Sequence, residues 1–355
     1  MGTKRITIQD VARYAKVSAG TVDRVIHNRG KVSADKKRRI EVAISEHNFN
    51  PNLLARALSL RNQFTVCTLL PQITSDNKYW LLPKQGAELA AEGFKDFGFT
   101  LETFYFSQFD ESSFIEQTRK IFELKPDGVI LAPAFVKESI LFVKKLEKYK
   151  IPYVFIDATI PNQKNISYIG PHTERSGYVA GRLMKSMVRP GEQILVLNIV
   201  KGMENSSNLS QIEHGFRNYF AENFQEQSSS IHTLVISSTD RNVIFQELTK
   251  YYIKNPNIKG VFVTTSRAHL VAGFHSDHEL DIRLIGFDLV EDNINQLKNG
   301  SIDWIISQSP IQQGVCAVRT LFDLLVNKIV PNKTQYVPLD IIIRENLDYY
   351  LTYSG

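Results

Sequence analysis

The chain has 355 residues and no run of 18 or more apolar ones, so no membrane-spanning helix is expected. Its opening, "MGTKRITIQD", lacks the apolar core of a secretory signal, and a cytoplasmic location is expected. Cysteine is nearly absent. Only Cys67 and Cys316 occur, both in apolar surroundings. They read as buried free thiols in a reducing compartment rather than a disulfide or half a metal site. The common catalytic signatures are missing too: there is no Gly-rich phosphate loop, no G-x-S-x-G elbow and no His-Glu-x-x-His. Neither a metal nor a cofactor is expected.

Net charge is +5, but unevenly spread. Residues 1–63 hold 13 Lys/Arg against 5 Asp/Glu, a net of +8, and the remainder holds 29 against 32, a net of −3. A small basic head on a slightly acidic body is the asymmetry expected when the head alone meets a polyanion.

Within that head, "TIQDVARYAKVSAGTVDRV" reads as two short helices. Thr7 is placed to cap the first, with Asp10 favourable in its first turn and Val11, Ala12 and Ala15 as its apolar stripe. The first helix ends near Lys16, Val17 turns inward, and Ser18 caps a second helix whose Val22, Val25 and Ile26 fall at helical spacing. Two helices joined so tightly describe a helix-turn-helix, whose second helix enters the major groove. Ser33 caps a third helix with Ile40, Ala43 and Ile44 inward, and Phe49 closes the small core. The run Lys36, Lys37, Arg38 and Arg39 is either a solvated face or a source of phosphate contacts. Next, "NPNLLARALSLRNQ" holds a helix over residues 52–60, too short to be stable alone, which suits a hinge that forms only with DNA and a second chain.

The segments "TIQDVARYAKVS", "TV-RVI-N", the "VS" before the third helix and "NPNLLARAL" keep the order and spacing of the head and hinge of the lactose-repressor family of bacterial transcription regulators, which residues 6–60 resemble. The resemblance implies that two heads grip a near-palindromic operator while paired hinge helices push Leu58 into the minor groove, with Ala55 at the helix–helix contact. It places Ala19, Gly20 and Arg24 at base-reading positions and Asn28 near a phosphate or base edge. The DNA-facing set expected is Thr7, Tyr14, Ser18, Ala19, Gly20, Thr21, Arg24, Asn28, Asn52, Ala55, Arg56 and Leu58. Ala19 and Gly20 are smaller than the family's usual polar residues, and Asp23 stands where Ser is usual. The main direct contact is therefore assigned to Arg24, bidentate to guanine. Asp23 either orients Arg24 and its neighbours or faces solvent.

From Phe64 onward, strand-like runs ("FTVCTLLP", "FTLETFYF", "PDGVILAP", "PYVFIDA", "NISYIG", "EQILVLNIV", "IHTLVIS", "KGVFVTT", "IRLIGFD", "WIISQSP") alternate with amphipathic segments. That alternation predicts parallel sheets flanked by helices, and ten strands predict two doubly wound lobes rather than one sheet. The expected organisation is a head over 1–49, a hinge over 50–63 and a two-lobed body over 64–355. One lobe is expected to hold about 64–160 plus 291–325, the other about 161–290 plus 326–355.

Ligands of such folds bind beyond the C-terminal ends of strands. Those ends carry Asn77, Tyr79 and Trp80 (aromatics beside an amide, suited to a sugar), then Asp157, then His172, then Thr265, Ser266 and Arg267, then Asp288 and Gln308. Carboxylates and amides at several strand ends can pair with many hydroxyls at once. "NKYW…GAELAA", "IPYVFID", "SGYVAGRLM", "LIGFD" and "IISQSPIQQG" also resemble the sugar-binding core of the same family and the ribose-type periplasmic binding proteins. By that resemblance Asn77, Tyr79, Trp80, Asp157, Asp288 and Gln308 contact ligand. His172 and Ser266 join them as candidates, and Arg267 either replaces a lost donor or points to solvent. Two arginines usual in the family are Ala158 and Ile212 here, which disfavours an anionic ligand. The function expected is a transcriptional regulator, a repressor by kind, that binds operator DNA as a homodimer and answers to a neutral sugar or polyol. The alternative is an enzyme processing a sugar or nucleotide, since a doubly wound fold alone does not exclude one.

Overall fold

The computed structural model describes residues 8–26, 30, 32–46, 63–75, 77–200, 206–224 and 230–353. Thr7, Asn28, Phe49 and the hinge residues Asn52, Ala55, Arg56 and Leu58 lie outside the described residues. The chain divides into two compact units, one ending at Gln63 and the other beginning at Phe64.

The first unit contains α1 (Ile8–Ala15), α2 (Ala19–Ile26) and α3 (Ala34–Glu46). Val11, Ala12 and Ala15 of α1 are buried with Val22 of α2 and Ile40 and Ala43 of α3. The connection between α1 and α2 is short because Lys16 takes a left-handed conformation (φ 52°) and the Val17 amide donates back to the Ala12 carbonyl at 2.9 Å. Val17 then packs against the same core. Ser18 starts α2: its Oγ accepts from the Thr21 amide at 3.3 Å and lies 2.8 Å from Thr21 Oγ1, satisfying one of the helix's orphan donors.

The second unit runs, in chain order, β1 (Phe64–Pro71), a 3₁₀ turn (Lys78–Trp80), α4 (Leu81–Gly93), β2 (Phe99–Phe106), α5 (Glu111–Glu123), β3 (Gly128–Leu131), α6 (Val136–Lys148), β4 (Tyr153–Ile156) and β5 (Ser167–Gly170). It continues with α7 (Thr173–Met187), β6 (Gln193–Ile199), α8 (Ser206–Asn223), β7 (Ile231–Ile236), α9 (Arg241–Lys254), β8 (Ile258–Val263), α10 (Ala268–Asp277), β9 (Arg283–Phe287), α11 (Glu291–Lys298) and β10 (Trp304–Ser307). It closes with α12 (Pro310–Phe322), β11 (Thr334–Tyr336), β12 (Asp340–Ile342) and α13 (Leu347–Tyr353).

Two six-stranded sheets result, ordered β11-β5-β4-β3-β1-β2 and β12-β10-β9-β8-β6-β7. Strand for strand, the second order repeats the first. Among the named ladders only β10–β12 is antiparallel. Period-two alternation explains the layers. In the second sheet Leu195, Leu197, Val261 and Val263 face α9 and α10, while Ile194, Val196 and Phe262 face α7 and α8. With both faces covered, the strands read as continuous apolar runs.

The lobe boundaries expected from the sequence need correction. Strand β5 belongs to the first sheet, so the first lobe extends past residue 160 to Gly170. Strand β10 pairs with β9, so residues 304–307 belong to the second lobe. Strands β11 and β12, missing from the ten expected, divide between the sheets. In each lobe the fifth strand completes its ladder before the chain leaves. The crossings fall at 171–172, 308–309 and 337–339, two or three residues each, with no change of composition to mark them. Ser309 takes a left-handed conformation at the second crossing, and its Oγ lies 2.9 Å from Asp340 Oδ2 and 3.1 Å from Pro338 O of the third.

Candidate inter-lobe cleft and the head helices

The C-terminal ends of both sheets open on one cavity of about 140 Å³, a volume suited to a single small molecule. The first lobe lines it with Asn77, Tyr79, Trp80, Gln108, Phe135 and Asp157, and the second with Thr173, Leu209, Ile212, Thr265, Arg267 and Asp288; Ser266 and Gln308 line it as well. Of the nine ligand candidates read from the sequence, eight line this cavity.

The two carboxylates occupy equivalent places. Asp157 follows β4 and Asp288 follows β9, the fourth strand of each lobe in chain order. Both take a left-handed backbone conformation, φ 65° and 66°. The amide of each donates to the neighbouring fifth strand, Asp157 to Ile169 O at 3.2 Å and Asp288 to Ile306 O at 2.9 Å. The strand is thereby continued for one bond while the side chain turns into the cleft.

A chain of hydrogen bonds joins them. Tyr79 Oη donates to Asp157 Oδ1 at 2.8 Å. Gln313 Nε2 donates to Tyr79 Oη at 3.4 Å and to Gln308 O at 3.0 Å. Gln308 Nε2 donates to Asp288 Oδ1 at 3.3 Å. Desolvation raises both carboxyl groups, Asp157 to about 6 against the pull of the Tyr79 hydroxyl, and Asp288 to about 8 against the pull of Gln308. At neutral pH Asp157 is largely ionised and Asp288 largely protonated, so the two carboxyl groups offer both acceptors and a donor to ligand hydroxyls.

Tyr79 and Trp80 meet edge to face with ring centroids 5.1 Å apart, and both are buried. Asn77 is held by Gln108 Oε1, which accepts from its Nδ2 at 2.9 Å. Arg267 is buried, its Nη1 donating to Ile199 O at 3.0 Å, so the solvent-facing reading of Arg267 is wrong.

His172 is the ligand candidate outside the cavity. It is exposed and caps α7, its Nδ1 accepting from the Arg175 amide at 3.4 Å, and its ring lies 5.1 Å from that of Tyr336. A polar residue just before a helix is a cap first, and the neighbour that enters the cavity is Thr173. Gln108 and Gln313 were not foreseen. Gln313 is fully buried, and only the "IISQSPIQQG" motif hinted at it. Of the two thiols expected to be buried, Cys67 is and Cys316 is half-exposed.

In the head, Tyr14, Ser18, Gly20 and Arg24 are exposed, and Thr21 is half-buried. Arg24 Nε donates to Gly20 O at 3.1 Å, which folds the guanidinium back along α2 toward its N-terminus. Ala19 is partly buried against the head core, and Asp23 is half-buried. A Cβ placed on Gly20 would meet nothing within 4 Å. In the basic run of α3, Arg39 pairs with Asp35 at 3.2 Å, while Lys36, Lys37 and Arg38 are exposed.

Comparison with known proteins accords with this architecture. Residues 68–329 match the periplasmic binding protein domain, and residues 7–52 match the bacterial regulatory proteins of the lacI family. The ribose operon repressors of Halalkalibacterium halodurans and Lactococcus lactis are 25% and 24% identical to the chain. Each alignment covers 96% of this chain, and 96% and 98% of the respective relative. A solved structure described as a LacI transcriptional regulator from Bacteroides fragilis superposes with a TM-score of 0.76 at 26% identity, over 81% of this chain and all of that one. GanP, a glucose-galactose binding protein of Geobacillus stearothermophilus, shares the fold at a TM-score of 0.68 and 22% identity, over 81% of this chain and 99% of its own. A head that matches the lacI family, followed in the chain by a periplasmic-binding-protein body, places the chain in the lactose-repressor family of DNA-binding transcriptional regulators.

Proposed function

We propose that the chain acts in the cytoplasm as a homodimeric repressor whose operator affinity is set by a neutral sugar or polyol in the inter-lobe cleft. The observation that carries this reading is the pair of carboxyl groups, Asp157 and Asp288, presented from equivalent strand ends of the two lobes beside Tyr79 and Trp80. Carboxyl groups on both lobes suit a ligand with hydroxyls on two sides, since a hydroxyl both donates and accepts, and aromatic rings suit the C–H faces of a sugar. Among the described residues Arg267 is the arginine that lines the cleft, and its Nη1 donates to the Ile199 carbonyl, while Leu209 and Ile212 bring apolar surface from α8. That lining favours hydroxyls over phosphate or carboxylate.

A ligand that binds both lobes favours one lobe arrangement, and that preference is what DNA binding reads. Two heads on a near-palindromic site require at least a dimer. The test is a thermal-shift screen of the purified chain with pentoses, hexoses and polyols, D-ribose first because two relatives are ribose operon repressors. A native-state ligand raises the melting temperature. A neutral sugar is expected to do so. If only a sugar acid or a purine does, the reading of the cleft fails.

A further inference from the structure

The 3₁₀ turn that brings Tyr79 and Trp80 to the cleft also carries Lys78, whose side chain crosses to the other lobe. Lys78 Nζ lies 3.0 Å from Asp292 Oδ2 and 3.6 Å from Glu291 Oε2. Both carboxylates stand in the first turn of α11. A lone cation would be repelled by the positive end of that helix, so the two acids are what make the contact favourable. Asp292 is the largest cause of a raised Lys78 pKa, followed by smaller contributions from Glu291. This bridge joins the lobes away from the three crossings.

Each end of the bridge is tied to the ligand-facing loops. On the first lobe Lys78 lies between Asn77 and Tyr79. On the second, the next residue of α11, Asn293, is fully buried. Its Nδ2 donates to Ser266 O at 3.1 Å, Phe287 O at 2.8 Å and Asp288 O at 3.1 Å, and its Oδ1 accepts from the His269 amide at 2.9 Å. One helical turn therefore holds both the acids that meet Lys78 and the anchor of the loops bearing Ser266 and Asp288. A second cavity of about 200 Å³ lies beside the bridge, lined by Lys78, Asp292, His269, Ser266 and Arg267, so water and salt ions reach the pair.

We propose that Lys78 is a positioning residue of the effector response: its bridge to Asp292 and Glu291 latches the two lobes in the arrangement the structure shows. The proposal rests on lobe arrangement as the signal, not on the identity of the sugar. Making or breaking the bridge moves the Asn77–Trp80 turn relative to the Ser266 and Asp288 loops, the two halves of the cleft. Because the pair is partly solvated, salt weakens it.

The test needs no effector. Spin labels are placed at Lys144→Cys on α6 and Lys250→Cys on α9 in the full chain carrying Cys316→Ser, diluted with unlabelled chain, and the inter-label distance is measured by double electron–electron resonance. Lys78→Glu is expected to shift the distance distribution to longer values, and high salt is expected to shift the parent the same way. Lys78→Glu combined with Asp292→Lys and Glu291→Gln is expected to restore the parental distribution at low salt. Melting curves of each variant confirm that it is folded, and Lys78→Met gives a second, uncharged break. A distribution unmoved by both Lys78→Glu and Lys78→Met overturns the proposal, as does a shift that the charge exchange fails to reverse. A failed sugar screen leaves these outcomes unaffected, so the two readings fail separately.

Discussion

Gly20 is a glycine that its own fold does not require. It lies in the first turn of α2 with helical backbone, and a side chain there would meet open space. Glycine in a helix costs about 0.5–1 kcal/mol against alanine. Gly20→Ala should therefore raise the stability of the head by about that amount while weakening operator binding, because we propose that this exposed face of α2 approaches DNA. Chemical denaturation and DNA titration of the same variant check both; unchanged affinity would remove Gly20 from the interface. In the cleft, Asp157 and Asp288 carry a second consequence. Their folded-state pKa values, about 6 and about 8, lie above the usual carboxylate range, so the folded chain holds protons that the unfolded chain has released. Stability from this source is present at low pH and lost as pH rises from about 4 through those two values. The ligand-free chain should melt at lower temperature at pH 8.5 than at pH 5.5, and Asp288→Asn should flatten much of that slope; an unchanged slope in the variant would mean that Asp288 is already ionised. Both aspartates were legible because an acid at the end of an apolar strand has few other uses. Gln313 was not, since its role depends on burial beneath Tyr79 from a distant helix. His172 was misplaced because strand end and helix cap share one position.

Among the elements, the helix pairs are as informative as the strands. Helices α7 and α8 approach so closely that a Cβ on Gly215 would fall 1.8 Å from Glu174 O, and one on Gly177 would fall 1.8 Å from Ile212 O. Backbone cannot yield there as a flexible side chain can. Gly215→Ala should cost about 1–3 kcal/mol or more of stability and should weaken ligand binding, since α8 brings Leu209 and Ile212 to the cleft. Thermal unfolding with and without the sugar identified by the screen separates the two effects; a variant as stable as the parent would show that the pair can spread at no cost. At this scale the sequence was a good guide. Ten apolar runs became strands, and the three head helices lie where capping residues and apolar spacing put them. The two strands missed, Thr334–Tyr336 and Asp340–Ile342, are three residues long and flank Pro338, too short to show a period.

At the scale of the body, two lobes of identical strand order face each other across the cleft, and each contributes an aspartate from its fourth strand. That duplication makes the site two-sided, and a two-sided site lets a small ligand report on lobe arrangement. The lobe limits could not be read from the sequence, because the chain changes lobe three times through segments of two or three residues. Occupancy of this cleft is proposed to govern DNA affinity. This is tested most directly by fluorescence anisotropy on a duplex recovered by in vitro selection against the full chain, titrated with and without a saturating concentration of the sugar that raises its melting temperature. Coupling free energies between sites run about 1–3 kcal/mol, roughly 5- to 150-fold in affinity, so a change in duplex affinity within that range is expected, and it should shrink in Asp288→Ala. Equal duplex affinity with and without the sugar, or consumption of the sugar by the chain, would contradict it.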